Sequence, residues 1–154
     1  MANKVNSAIG IEYNSHEIKA VELVKKPDGT LAVTAFSKEE IPEGVMLEGM
    51  ISEQETFTAI LKDLYTNGGF TNNAPVVVGV NNENVILRYA TFPKVPDDKL
   101  RSVITMQAGD FIPVPVSELG LDFVVINETN DDDDQPIINV LLIGARTQML
   151  ENLV

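Results

Sequence analysis

The chain has 154 residues, no cysteine, one histidine and a formal net charge of −12, from 11 Lys plus Arg against 23 Asp plus Glu. A surface this acidic repels nucleic-acid phosphates and anionic lipid heads, and the lack of cysteine excludes disulfides, thiolate metal sites and cysteine nucleophiles. No stretch is apolar over the ~20 residues that a membrane span needs, and residues 1–6 have no apolar signal core; the chain reads as cytosolic, one compact domain or two small lobes.

Residues 5–13 alternate through Val5, Ser7, Ile9, Ile11 and Tyr13, which predicts a strand. Residues 17–25 predict a second strand and residues 30–37 a third. Between them Pro27 presets φ and Gly29 supplies a left-handed position, so the chain opens with an antiparallel meander. Ser52-Glu53-Gln54-Glu55 has the form of a capping box. Phe57, Ile60, Leu61, Leu64 and Tyr65 then recur at helical spacing until Gly68-Gly69 stops the helix. Residues 75–80 are an apolar run of the kind that forms a strand covered on both faces. The order to this point is β-β-β-α-β.

Residues 85–92 predict the next strand, broken by Pro93 and Pro96. Asp97 is placed to cap a helix running to about Phe111, with Leu100, Val103, Ile104, Ala108 and Phe111 on one face. Residues 112–115 are extended, and residues 119–126 and 136–145 read as paired strands. From Thr147 a helix begins, with Met149, Leu150, Leu153 and Val154 apolar. Its apolar face has only begun where the sequence stops, so the polypeptide is expected to be an N-terminal piece of a longer protein.

One segment looks able to hold an anion. Two strands flank the turn Asn14-Ser15-His16, whose amides can point at a phosphate, and Lys19 can add a point charge. The same residues also suit a plain hairpin, and neither GxxxxGK[ST] nor GxGxxG occurs. His16 would have to serve any Ser-His-Asp arrangement, yet it lies in a turn, where a solvated side chain is expected; zinc needs three or four good ligands. Counted as a calcium loop from Asp131, the run Asp131-Asp132-Asp133-Asp134 puts Pro136 and Leu142 where Gly and Glu are required, so it reads as a charged hairpin loop. Phe111-Ile112-Pro113-Val114-Pro115 suits core packing or a proline-stiffened docking ledge.

Residues 9–23, Ile-Gly-Ile-Glu-Tyr-Asn-Ser-His-Glu-Ile-Lys-Ala-Val-Glu-Leu, resemble the start of the PilM family of actin-like type IV pilus assembly proteins. Ordered likenesses continue through Ile41-Pro42-Glu43-Gly44-Val45, Gly49-Met50-Ile51, Thr91-Phe92-Pro93-Lys94, Asp110-Phe111-Ile112-Pro113-Val114-Pro115, Leu121-Asp122-Phe123 and residues 140–146. The resemblance implies an α/β, actin-like (ribonuclease H-like) fold: residues 1–84 as part of subdomain 1A with its phosphate-1 hairpin, and residues 85–154 as the small β-α-β-β-α subdomain 1C, its last helix incomplete. It implies a cytoplasmic scaffold at the inner face of the membrane that binds the N-terminal tail of a PilN-like membrane protein in a groove between 1A and 1C. It leaves self-association open. Phe111, Ile112 and Pro113 are the candidate partner-binding residues.

ATP with magnesium is implied for the full-length protein, weak or absent in this piece. Amides around Asn14, Ser15 and His16 would face the phosphates, Lys19 would contact them, and Glu12 would help hold magnesium through water. The family's aspartate is here Glu12, one methylene longer, and its glycine is Asn14, whose side chain fills space meant for phosphate oxygens. Those departures favour a nucleotide-binding scaffold over an efficient ATPase. The alternatives are an active actin-superfamily ATPase, or an FtsA-like or secretion-platform adaptor without nucleotide function.

Overall fold

Three antiparallel strands, β1 (Ser7–Tyr13), β2 (Glu17–Lys25) and β3 (Leu31–Glu40), open the computed structural model, which describes residues 6–153. The expectations for Val5 and Val154 lie outside those residues. A small hairpin follows, β4 (Met46–Leu47) with β5 (Met50–Ile51), then α1 (Gln54–Gly68) and β6 (Val76–Gly79). β6 returns parallel to β1, giving one four-stranded sheet in the order β3-β2-β1-β6. These elements form a compact unit ending at Asn82; a second begins at Glu83.

Alternation in the strands divides the first sheet into two unlike faces. Ile9, Ile11 and Tyr13 of β1 and Ile18 and Ala20 of β2 are buried on one face. α1 lies against β2 and β3 and buries Phe57 and Leu64. The Tyr13 and Phe57 rings meet edge to face, with centroids 5.9 Å apart. The opposite face is open: Val33 and Phe36 are 64% and 60% exposed.

The turns form for the expected reasons. Gly29 and Gly69 adopt φ of 87° and 64°, and the Gly69 amide closes α1 on the Tyr65 carbonyl. The capping box does not form. Glu53, not Ser52, takes the N-cap position without capping an amide through its side chain, and its carboxylate instead accepts from the Thr56 hydroxyl at 3.0 Å. Ser52 lies one residue too early, its amide bonded to Val45. The run at 75–80 is likewise not covered on both faces: Val76, Val77 and Val78 are 46%, 64% and 38% exposed. Among the described residues β6 is an edge strand with β1 as its neighbour, so there its valines lack the second cover that the apolar run suggested.

The second unit comprises β7 (Val85–Pro93), α2 (Asp97–Gln107), β8 (Leu119–Asn130), β9 (Pro136–Arg146) and α3 (Thr147–Glu151), with strand order β7-β9-β8. Its core is Ala90 and Phe92 from β7, Ile104 from α2, Ile112 and Leu119, and Ile138, Val140 and Leu142 from β9. Pro96 holds the N-cap position of α2, which places Asp97 inside the first turn; with Asp98 it complements the helix dipole instead of capping. α2 also stops before Phe111, giving way to a 3-10 turn at Ala108–Asp110. Arg101 ties α2 to β8, its guanidinium 5.3 Å from the Phe123 ring centroid and 2.9 Å from Asp122. The aspartate run closes the β8–β9 hairpin: the Asp131 carboxylate accepts the amides of Asp133 and Gln135 at 3.0 and 2.8 Å.

Candidate functional site

The Asn14-Ser15-His16 turn is held by its own first residue. The Asn14 carboxamide oxygen accepts the backbone N–H groups of His16 and Glu17 at 2.8 and 2.9 Å. The Asn14 N–H donates in turn to the Glu17 carbonyl at 3.0 Å. This is the local bonding that makes asparagine a turn former. The His16 carbonyl accepts the Ile41 N–H at 2.7 Å, tying the turn to the end of β3. The result is a cavity of about 630 Å³ lined by Asn14, His16, Glu17, Lys38, Glu39, Glu40 and Ile41.

Sheet register builds the rest of the site. Gly79, Glu12, Lys19 and Lys38 fall in one row across all four strands, and Glu17 opposes Glu40 in the next. Cross-strand partners share a face, so this charged patch lies on the open side of the sheet. Lys19 forms an ion pair with Glu17. Glu17 is held below the usual carboxylate range chiefly by that hydrogen bond, with Lys38 adding a weaker attraction. Lys19 is raised above the usual lysine value chiefly by Glu17, with Glu12 contributing.

The expected residues therefore do meet at one end of the sheet, with Asn14, Ser15, His16 and Glu12 exposed. Their donors are largely engaged. The amides of Asn14 and His16 are bonded within the turn, whereas that of Ser15 has no partner among the described residues. Around the turn Glu12, Glu17, Glu39 and Glu40 outnumber Lys19 and Lys38. The donor set suits a phosphate chain, but only where Asn14 and Glu17 let go and a cation offsets the carboxylates. Among the described residues no three acidic or imidazole groups converge on a metal position.

Sequence reading missed Lys38, Glu39 and Glu40. It ended the third strand at residue 37, whereas β3 runs to Glu40, and pairing with β2 is what brings those residues to the turn. It also gave no role to Glu22, which is 1% exposed on the helix-facing side of β2. One Glu22 oxygen accepts the Thr71 N–H at 2.9 Å, and this backbone bond is the largest cause holding its carboxyl below the usual range. The other oxygen has no partner among the described residues. Glu22 thus pins the segment between α1 and β6 to β2.

In the second unit the three candidate partner residues separate. Ile112 is 3% exposed and belongs to the core, so it cannot form a docking ledge. Core packing wins there because the 3-10 turn at Ala108–Asp110 rotates Ile112 inward, its amide bonded to the Ala108 carbonyl at 3.0 Å. Phe111 is half-buried against Phe92, with ring centroids 5.3 Å apart, and Pro113 is exposed. Phe111 also lines a cavity of about 370 Å³ with Tyr89, Ala90, Thr91, Asn139 and Val140. Tyr89 is 79% exposed, and Thr91, Asn139 and Asn127 form a side-chain ladder with two hydrogen bonds of 2.8 Å. No local sequence signal marks these positions, since register across three strands assembles them.

Residues 10–154 match the family described as Type IV pilus assembly protein PilM. The chain belongs to that family. The solved PilM-PilN type IV pilus biogenesis complex contains a chain similar to it at 27% identity and a TM-score of 0.81, over 95% of this chain and 42% of that one. The cytoplasmic domain of EpsL, an inner membrane component of the type II secretion system of Vibrio cholerae, is similar at 12% identity and a TM-score of 0.51, over 94% of this chain and 49% of that one. That second likeness is of fold alone. The chain spans less than half the length of both, and the fold is the mixed α/β, actin-like one of PilM. No helix among the described residues is long and apolar enough to cross a membrane.

Proposed function

We propose that this PilM-family chain acts as a cytoplasmic scaffold of a type IV pilus assembly platform, binding the N-terminal tail of a PilN-like membrane protein. The observation that carries the reading is the likeness over 95% of the chain to a protein solved as a PilM-PilN complex. The cavity beside Phe111 is large enough to take an anchoring side chain, with Tyr89 as an exposed aromatic wall. The partner would hold the scaffold at the inner face of the membrane. Titrating a synthetic PilN-like tail peptide into the full-length protein tests this. We expect saturable binding that Phe111→Ala weakens by about tenfold, the effect of losing one ~1.4 kcal/mol contact. No binding to the wild-type protein refutes the scaffold reading.

Mg-ATP is proposed as a second, weaker ligand, with its phosphates at the Asn14 turn and magnesium reached from Glu12 through water. The cavity of about 630 Å³ and the two adjacent lysines favour it. ATP supplies a charged, structure-setting ligand there and not an efficiently hydrolysed substrate, since Glu12 is longer than the family's aspartate and magnesium geometry is strict.

A further inference from the structure

Lys19 and Lys38 stand directly opposite one another on β2 and β3. Like charges in such positions destabilise a sheet unless an anion lies between or beside them. In this structure Glu17 supplies that anion: it pairs with Lys19 and is also attracted by Lys38. Glu40, opposite Glu17 in the neighbouring row, completes a square in which each lysine has a glutamate on its diagonal. The square borders the cavity that contains Asn14 and His16, and Lys38 lines that cavity while Lys19 does not. Glu12 extends the row on the side of Lys19, and Glu39 points to the helix side, where the Asn67 amide donates to it at 2.7 Å.

We propose that Lys38 is a second phosphate-binding lysine, forming with Lys19 a two-pronged clamp for a phosphate chain, and that Glu17 is the resident carboxylate that such a chain displaces. The proposal rests on the Mg-ATP reading above. Two ammonium groups side by side suit successive phosphates better than one, because each carries a compact point charge with three rotatable donors. With Glu17 displaced, its carboxylate swings toward solvent and the repulsion between the lysines is relieved by the ligand instead.

The experiment is calorimetric titration of Mg-ATP and, separately, of tripolyphosphate into the full-length protein and its Lys19→Ala, Lys38→Ala, Lys38→Arg and Glu17→Gln variants, with circular dichroism as the check on folding. We expect Lys38→Ala to weaken both ligands by about ten- to a hundredfold, the usual effect of losing one charge-assisted contact. Lys38→Arg should restore most of the affinity, and Glu17→Gln should tighten binding. The proposal is overturned if Lys38→Ala stays within about twofold of wild type while Lys19→Ala does not, a result that leaves the ATP reading intact. Loss with ATP alone also overturns it, since Lys38 would then serve the nucleoside. No binding of either ligand to the wild-type protein overturns the ATP reading and the clamp together.

Discussion

Replacing Asn14 by alanine should tighten Mg-ATP binding. The Asn14 carboxamide oxygen occupies two amides, those of His16 and Glu17, at 2.8 and 2.9 Å. Any phosphate oxygen that uses those donors must first displace it. Each such bond contributes about 0.5–1.5 kcal/mol net, and in an exposed turn the pair contributes about 1–2 kcal/mol at the lower end of that range. Alanine removes this competition without adding the backbone freedom of glycine. Since about 1.4 kcal/mol corresponds to a factor of ten, the affinity should rise about 5- to 30-fold. Asn14→Asp should act in the opposite direction, because it keeps the acceptor and adds a negative charge beside the ligand. Calorimetric titration of the full-length protein measures both. A folded Asn14→Ala protein that binds Mg-ATP no more tightly than wild type refutes the argument that the turn plugs its own anion seat.

Two further outcomes test the frame that holds the sites. Glu22 has a folded-state pKa below its usual value of 4.5, chiefly through the Thr71 backbone bond; the stabilisation it provides is therefore present above the unfolded pKa and lost as pH falls through the folded pKa. Chemical denaturation followed from pH 7 downward should show the stability gap between wild type and Glu22→Gln closing below pH 4.5, and a gap independent of pH would contradict this. Phe92 is 1% exposed at the centre of the second unit's core, so Phe92→Ala should cost about 3–5 kcal/mol in urea unfolding; a loss below about 1 kcal/mol would show that the cavity collapses freely.

The β1–β2 hairpin was legible because its signals are local. Alternation in residues 9–23, the small polar turn and Lys19 lie within a single β-hairpin, and a hairpin brings sequence neighbours together. The β2–β3 turn and the end of α1 were legible for the same reason, each fixed by a glycine with positive φ. Lys38 was not, because its role depends on β3 continuing to Glu40 and pairing in one particular register with β2. Slipping that register by one residue would send Lys38 to the helix face and Glu39 to the open face beside Lys19. Ile112 was ambiguous for a related reason: an apolar residue beside prolines fits a core or a ledge equally well until the preceding turn fixes its direction.

The sequence by itself determined the order of the main strands and helices, though not the small β4–β5 hairpin, together with the family, the place of the turn at Asn14 and the acidic character of the whole chain. Those depend on residue type and near-neighbour spacing, which the chain carries wherever it goes. Tertiary structure alone decided that the Asn14 carboxamide holds the amides of His16 and Glu17, that Glu17 pairs with Lys19 and is attracted by Lys38, that β6 is an exposed edge among the described residues and that Tyr89 and Phe111 line one cavity. Each of these is a relation between side chains far apart in sequence or a choice between competing local bonds, and such relations exist only once strand register and packing direction have been set.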